Sequence, residues 1–333
     1  MAGTRPKLAA VALGAIAACV LAEALVRSLG LAPAPPSSVD RELAFHVLRA
    51  DPSIGYSLRP NARGQFQNAA VSINEIGCRD DAVRPNPGVR ILALGDSIAF
   101  GASVDQHATW EARLDQGLGP DVDVINCGVS GYNLLQMQAR YADGLAALAP
   151  DIVLLHVFSD DLAPPYGLQG SGVRDVLRAR SEAFRVAELG WMALRGGDGR
   201  AAQGWFLDGE DYRDRAMART RGWLDARRTE GLRVLLVVHP MLVPVERNWE
   251  ATRSDLRAFV ESLPTPSLYL EPLYADATDG ELQRLSIAPD TRDPHPNIAG
   301  QELMALAIWD RLHQLGWVDR APETEAPPRR STD

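Results

Sequence analysis

The chain is short of positive charge. Its 333 residues carry 34 Lys and Arg against 43 Asp and Glu, a formal net charge of -9. No run of Lys and Arg stands beside interleaved aromatics, and together these absences set nucleic acid aside as a partner. Cysteine is scarce, with three in all. Cys19 lies in an N-terminal apolar segment. Cys78 and Cys127 lie in the body of the chain, either as a disulfide in an oxidising compartment or as two separate buried thiols. The histidines offer no metal site, because no pair has ligand spacing with a nearby Cys or Glu. No internal repeat is visible.

What is present is ordinary globular composition, 46% hydrophobic and 23% charged. The middle of the chain is long enough to bury a full core as one α/β domain. The N-terminus stands apart from it. Arg5 and Lys7 precede Leu8 to Ala22, a run of 15 residues without a charge, and Glu23 closes it. That length falls between a signal h-region and a span of about 20 residues. Three fates follow for residues 1–27: an uncleaved signal anchor, a signal peptide cut after Ala22-Glu23-Ala24, or lipidation of Cys19. The flanking charges put the remainder outside the cytoplasm in every case, membrane-anchored or, after cleavage, secreted. Residues 28–88 read as a stiff linker and an N-terminal extension packed on the main domain. Within it, 64–67 and 71–73 alternate like short edge strands.

From residue 89 strands alternate with helices. Candidate strands are 90–94, 122–126, 152–157, 233–238 and 267–270, all short and rich in Val, Ile and Leu. Such runs suit a parallel sheet buried on both faces. Helical patterns fill the gaps at 109–117, 134–148, 173–194, 211–230, 252–263 and 297–315. The alternation predicts a doubly wound α/β sandwich over 89–316. Residues 164–204 exceed a simple crossover and read either as a helical lid or as an elaborated connection. The tail, 317–333, reads as disordered.

Chemistry gathers at the ends of the predicted strands. Gly95-Asp96-Ser97 follows the first, at a turn that presents Ser97 and its backbone N–H at the carboxyl edge of the sheet. Gly128-Val129-Ser130-Gly131 follows the second, and the Gly131 N–H offers a second oxyanion donor. Phe158-Ser159-Asp160-Asp161 follows the third. Asp293-Pro294-His295-Pro296-Asn297 precedes the last helix and supplies a base and a carboxylate. Ser, His and Asp are the three parts of a serine hydrolase. His46, His107, His156, His239 and His313 read as structural or exposed. His156 and His239, at strand ends, read as core groups with partners.

These blocks, in this order, resemble the SGNH (GDSL-type) hydrolase superfamily. The likeness runs over about residues 71 to 316. Upstream, Ile73-Asn74-Glu75-Ile76-Gly77-Cys78-Arg79 resembles a stretch of membrane-anchored bacterial members. The resemblance implies a flavodoxin-like three-layer α/β/α sandwich with a five-stranded parallel sheet, no metal and no cofactor. It implies Ser97 as nucleophile, His295 as base and Asp293 as its orienter, with oxyanion donors at Ser97, Gly131 and the third-block side chain. The chain departs from the family there: Asp160 stands where an Asn amide is usual. In the last block Asp293 lies two residues before His295, not three. The expected function is an extracytoplasmic ester hydrolase that forms an acyl-enzyme on Ser97. Its expected substrate is a short acyl ester of an envelope glycan or lipid. Two other readings stand: an O-acyltransferase with the same triad, and a glycan-binding module that kept the fold.

Overall fold

The computed structural model describes residues 4–29, 45–49, 51, 53–66, 69–163, 209–240, 247–274, 285–286 and 295–319, with isolated positions between 181 and 187. Asp293, most of 164–204 and the tail from residue 320 lie outside the described residues.

Five strands form one parallel sheet: β5 (Val89–Leu94), β6 (Val122–Asn126), β7 (Ile152–Val157), β8 (Arg233–Val238) and β9 (Ser267–Tyr269), in the order β6-β5-β7-β8-β9. That order reverses direction between β5 and β7, which is the flavodoxin-like arrangement. Ligands in such sheets bind beyond the carboxyl ends of the strands at the reversal. Side chains alternate along each strand, so one strand feeds two cores. Val153 and Leu155 face α4 (Leu134–Ala142), α5 (Gly209–Thr229) and α6 (Arg247–Glu261). Ile152 and Leu154 face α3 (Trp110–Leu118) and α7 (Ile298–Gln314). The result is the expected three-layer sandwich.

The helices end where local chemistry stops them. Thr109 caps α3, its side chain accepting from the Ala112 N–H. The pattern over 134–148 divides: α4 stops at Ala142, and Gly144, at φ 103°, turns the chain into a 3-10 turn at Leu145–Leu148. Asn133 and Gln136 close a capping box at the other end of α4.

The N-terminal extension contributes two hairpins, β1 (His46–Leu48) with β2 (Tyr56–Leu58), and β3 (Arg63–Phe66) with β4 (Ala69–Ser72). Only the second had an alternating pattern to announce it. Phe45, Tyr56, Leu58, Phe66 and Ile73 are buried in the α4-side core, and the Phe66 ring meets that of Phe100 at 5.3 Å. A disulfide joins Cys78 of the extension to Cys127 at the end of β6, Cα to Cα 4.4 Å.

Residues Thr4–Leu29 form α1, a 26-residue helix. Among the described residues no helix is long and apolar enough to cross a membrane. The expected spanning anchor is therefore not supported. Its uncharged stretch is alanine-rich and closes at Glu23, which pairs with Arg27 at 2.7 Å.

Candidate active site

Ser97 opens a four-residue helix, α2 (Ser97–Phe100), directly after β5. Asp96 caps it, its carboxylate accepting from the Ile98 N–H at 2.9 Å. Both glycines flanking this turn are required by close approach. A Cβ on Gly95 would lie 2.4 Å from Ala99 Cβ, and one on Gly128 would lie 2.4 Å from the Phe100 nitrogen. The turn after β5 and the loop after β6 can therefore press together. The Val129 N–H donates to Gly95 O at 3.0 Å across that contact.

Asn126 completes the junction. Its Nδ2 donates to Ala99 O at 3.0 Å, and its Oδ1 accepts from the Gly128 N–H at 3.0 Å. Sequence reasoning gave Asn126 no role. The available signal was a polar residue ending an apolar strand just before the glycine loop. Gly131 sits at φ 79°, a conformation glycine adopts without strain. Among the described residues no acceptor engages the backbone N–H of Ser97 or of Gly131. Both donors are available to a substrate oxygen.

His295 arrives from the far end of the chain. The next residue, Pro296, bridges to Ser286, and the Asn297 N–H donates to Leu285 O at 2.7 Å. Asn297 then caps α7 by accepting from Ala299 and Gly300. So held, His295 Nε2 lies 2.7 Å from Ser97 Oγ, across 198 residues of sequence. This is the contact a base needs to take a proton from a hydroxyl.

Asp160 follows β7 in a 3-10 turn, buried beside Asp161. The Phe158 N–H donates to Asp161 Oδ2 at 2.7 Å. One carboxylate oxygen each from Asp96, Asp160 and Asp161 lies within 4.8 Å of the others. Burial pushes the Asp161 carboxyl well above the usual range, and the charges of Asp96 and Asp160 push it further. Burial raises Asp96 too, against the pull of the Ile98 N–H and of His295. Three such oxygens have the spacing to hold a cation, and without one, acids this close favour a retained proton.

Beneath the site lie two further imidazoles. His156 and His239 are fully or almost fully buried, with ring centroids 5.4 Å apart. The expectation of partners fails: neither ring has a hydrogen-bond partner among the described residues. They sit instead in an aromatic setting, His156 stacked on Trp110 and His239 against Phe158. Burial brings His156 down to about 3, and burial with the charges of His156 and His295 holds His239 well below its ordinary value. Both are neutral at neutral pH, so His295 is not crowded by a second cation.

Solved structures similar to the chain include TesA, 21% identical, covering 68% of this chain and 99% of that one with a TM-score of 0.41. A catalytic mutant of Axe2, an acetylxylan esterase from Geobacillus stearothermophilus, is 17% identical over 71% and 99% of the two chains, TM-score 0.42. The acetyl xylan esterase AlAXEase is 15% identical over 67% and 98%, TM-score 0.43. No curated protein is similar to it at a significant level. The profile of the GDSL-like lipase/acylhydrolase family matches residues 93–303, most of the sheet and both halves of the Ser97–His295 pair. By that match the chain belongs to the GDSL-like lipase/acylhydrolase family and is an ester-bond hydrolase.

Proposed function

We propose that the protein is an extracytoplasmic serine esterase that cleaves short acyl esters of envelope glycans or lipids through an acyl-enzyme on Ser97. The observation that carries the mechanism is the 2.7 Å contact between Ser97 Oγ and His295 Nε2. Ser97 Oγ attacks the acyl carbonyl and its proton passes to His295. The backbone N–H groups of Ser97 and Gly131 hold the oxyanion, with the Asp160 carboxyl beside them. The alcohol leaves with the proton from His295. Water, deprotonated by the same ring, then releases the acid and restores Ser97. Asp293 orients the imidazole in this reading. Short acyl groups suit a nucleophile that is itself only 9% exposed.

A series of aryl esters of increasing acyl length tests the reaction. The rate is expected to peak at acetyl to butyryl, with free acid as product even when an oligosaccharide acceptor is added. Acyl oligosaccharide in place of free acid would make the protein a transferase.

The compartment is supported by Arg5 and Lys7 before the apolar run and by the Cys78–Cys127 bridge. Maleimide titration of the denatured, unreduced protein is expected to find two fewer thiols than after reduction. Equal counts before and after reduction, in protein taken from its own host, would contradict an oxidising location.

A further inference from the structure

We propose that Arg79 is a positioning residue for Ser97, gripping the end of the nucleophile helix and the turn after it by their carbonyls while its neighbours Cys78 and Asp80 fasten the oxyanion loop. The inference rests on the reading of Ser97 as nucleophile. It assigns a task to the N-terminal extension, which lies outside the family match at residues 93–303.

A helix of four residues cannot hold itself. It leaves its last carbonyls without intrahelical partners, and its few hydrogen bonds do not repay nucleation. Arg79 supplies the partner of the last one, Phe100 O, and of the turn that follows. Its side chain is buried, with Nη1 donating to Phe100 O at 2.7 Å and to Gly101 O at 2.6 Å. Nη2 donates to Val104 O at 2.5 Å and to Ala70 O at 3.1 Å. The guanidinium carbon also lies 4.9 Å from the centre of the Phe100 ring. A single planar cation thus fixes the end of α2 and the turn after it. Lys cannot reproduce this, because its ammonium is one point with no fork.

The flanking residues act on the other half of the site. Asp80 Oδ2 accepts from the Asn126 N–H at 2.8 Å, and Asn126 Nδ2 reaches Ala99 O inside α2. Cys78 is bonded to Cys127, one residue before Gly128. Tyr56, also of the extension, donates from its hydroxyl to Ser130 O at 2.6 Å. The clamp itself is held by Asn74, whose Oδ1 accepts from the N–H groups of Ile76 and Cys78 and whose Nδ2 donates to Asp81 O. Three consecutive residues therefore set the separation between the hydroxyl that attacks and the N–H groups that receive the oxyanion. Misplacing a reacting group by about 1 Å costs on the order of 10²-fold in rate.

The test uses the full chain with Arg79→Lys and Arg79→Ala. Readouts are kcat and KM on an aryl acetate, the rate of fluorophosphonate labelling, and thermal unfolding. Arg79→Lys is expected to lower kcat and the labelling rate about tenfold, with KM within about twofold and cooperative unfolding retained. Guanidinium added to Arg79→Ala is expected to restore part of the labelling rate, and tetramethylammonium is not. If Arg79→Ala does not fold, Arg79→Lys decides alone. A wild-type labelling rate in folded Arg79→Lys overturns the inference and leaves the serine mechanism standing. So does a loss that follows only the unfolded fraction, or failure of both variants to fold, since each marks a purely structural residue. Absence of labelling at Ser97 in the wild type overturns both readings.

Discussion

Ser97→Ala is expected to abolish hydrolysis of a short-chain aryl ester, with a fall in kcat on the order of 10⁴–10⁶. The substitution removes one oxygen whose side-chain contact is with His295, so the fold should survive with its unfolding transition intact. His295→Ala is expected to fall as far, because an unactivated hydroxyl is a weak nucleophile at neutral pH. The two losses should not add, since both remove one proton-transfer unit. Steady-state kinetics on the single and double variants checks this. Substantial kcat in folded Ser97→Ala would exclude the serine mechanism, and additive losses would separate His295 from Ser97.

Asp160→Asn is expected to raise the rate, which is the opposite of most substitutions in an active site. An ionised carboxylate gives no proton to an oxyanion and repels it. A protonated one donates as an amide does. The geometry decides which form is available. Asp96, Asp160 and Asp161 are buried with one oxygen each within 4.8 Å of the others, so they cannot all ionise at once. Asp161 is raised well above the usual range by burial, then by its two neighbours. Acids this close titrate as a unit, and the raised members hold a proton to higher pH than a free carboxyl would. With Asp160 in the amide's place, raising the pH removes the shared proton and with it a third oxyanion donor. Wild-type kcat should therefore decline toward alkaline pH, while Asp160→Asn stays flat. One oxyanion donor is worth about 10²–10³ in rate, so the variant should gain up to that factor at alkaline pH and little at acidic pH. A lower rate for Asp160→Asn at every pH would show that Asp160 does not stand in the amide's place.

The parts of the fold written in local pattern were legible. Four of the five strands were visible as short apolar runs, because a strand buried on both faces has no polar side to dilute the signal, while the half-buried edge strand β9 showed only as a short run beside Leu270. Two ends differ by one residue: the first strand begins at Val89 and the last ends at Tyr269, each one residue earlier than expected. The approach of His295 to Ser97 was legible for a related reason: each stands in a turn that glycine or proline shapes. The pairing of β1 with β2 was not. Three residues per strand carry too little alternation, and what fixes them is burial of Tyr56 and Leu58 against a core assembled from elsewhere. Arg79 and Asn126 were hidden differently. Their partners are backbone carbonyls and N–H groups, which every residue has, so no sequence pattern marks who receives the bond. His156 and His239 were read correctly as buried, but the hydrogen-bond partners expected of them are absent among the described residues. Neutral imidazoles among Trp110 and Phe158 look, in sequence, like any polar residue that must be satisfied.

The central claim is that Ser97 is a nucleophile activated by His295. Fluorophosphonate labelling followed by peptide mapping, run on the wild type and on His295→Ala, tests it most directly. The account predicts one adduct, on Ser97, forming rapidly in the wild type and slowed by at least about 10²-fold without the imidazole. An intact protein that leaves Ser97 unmodified, or one that labels Ser97 equally fast without His295, would contradict it.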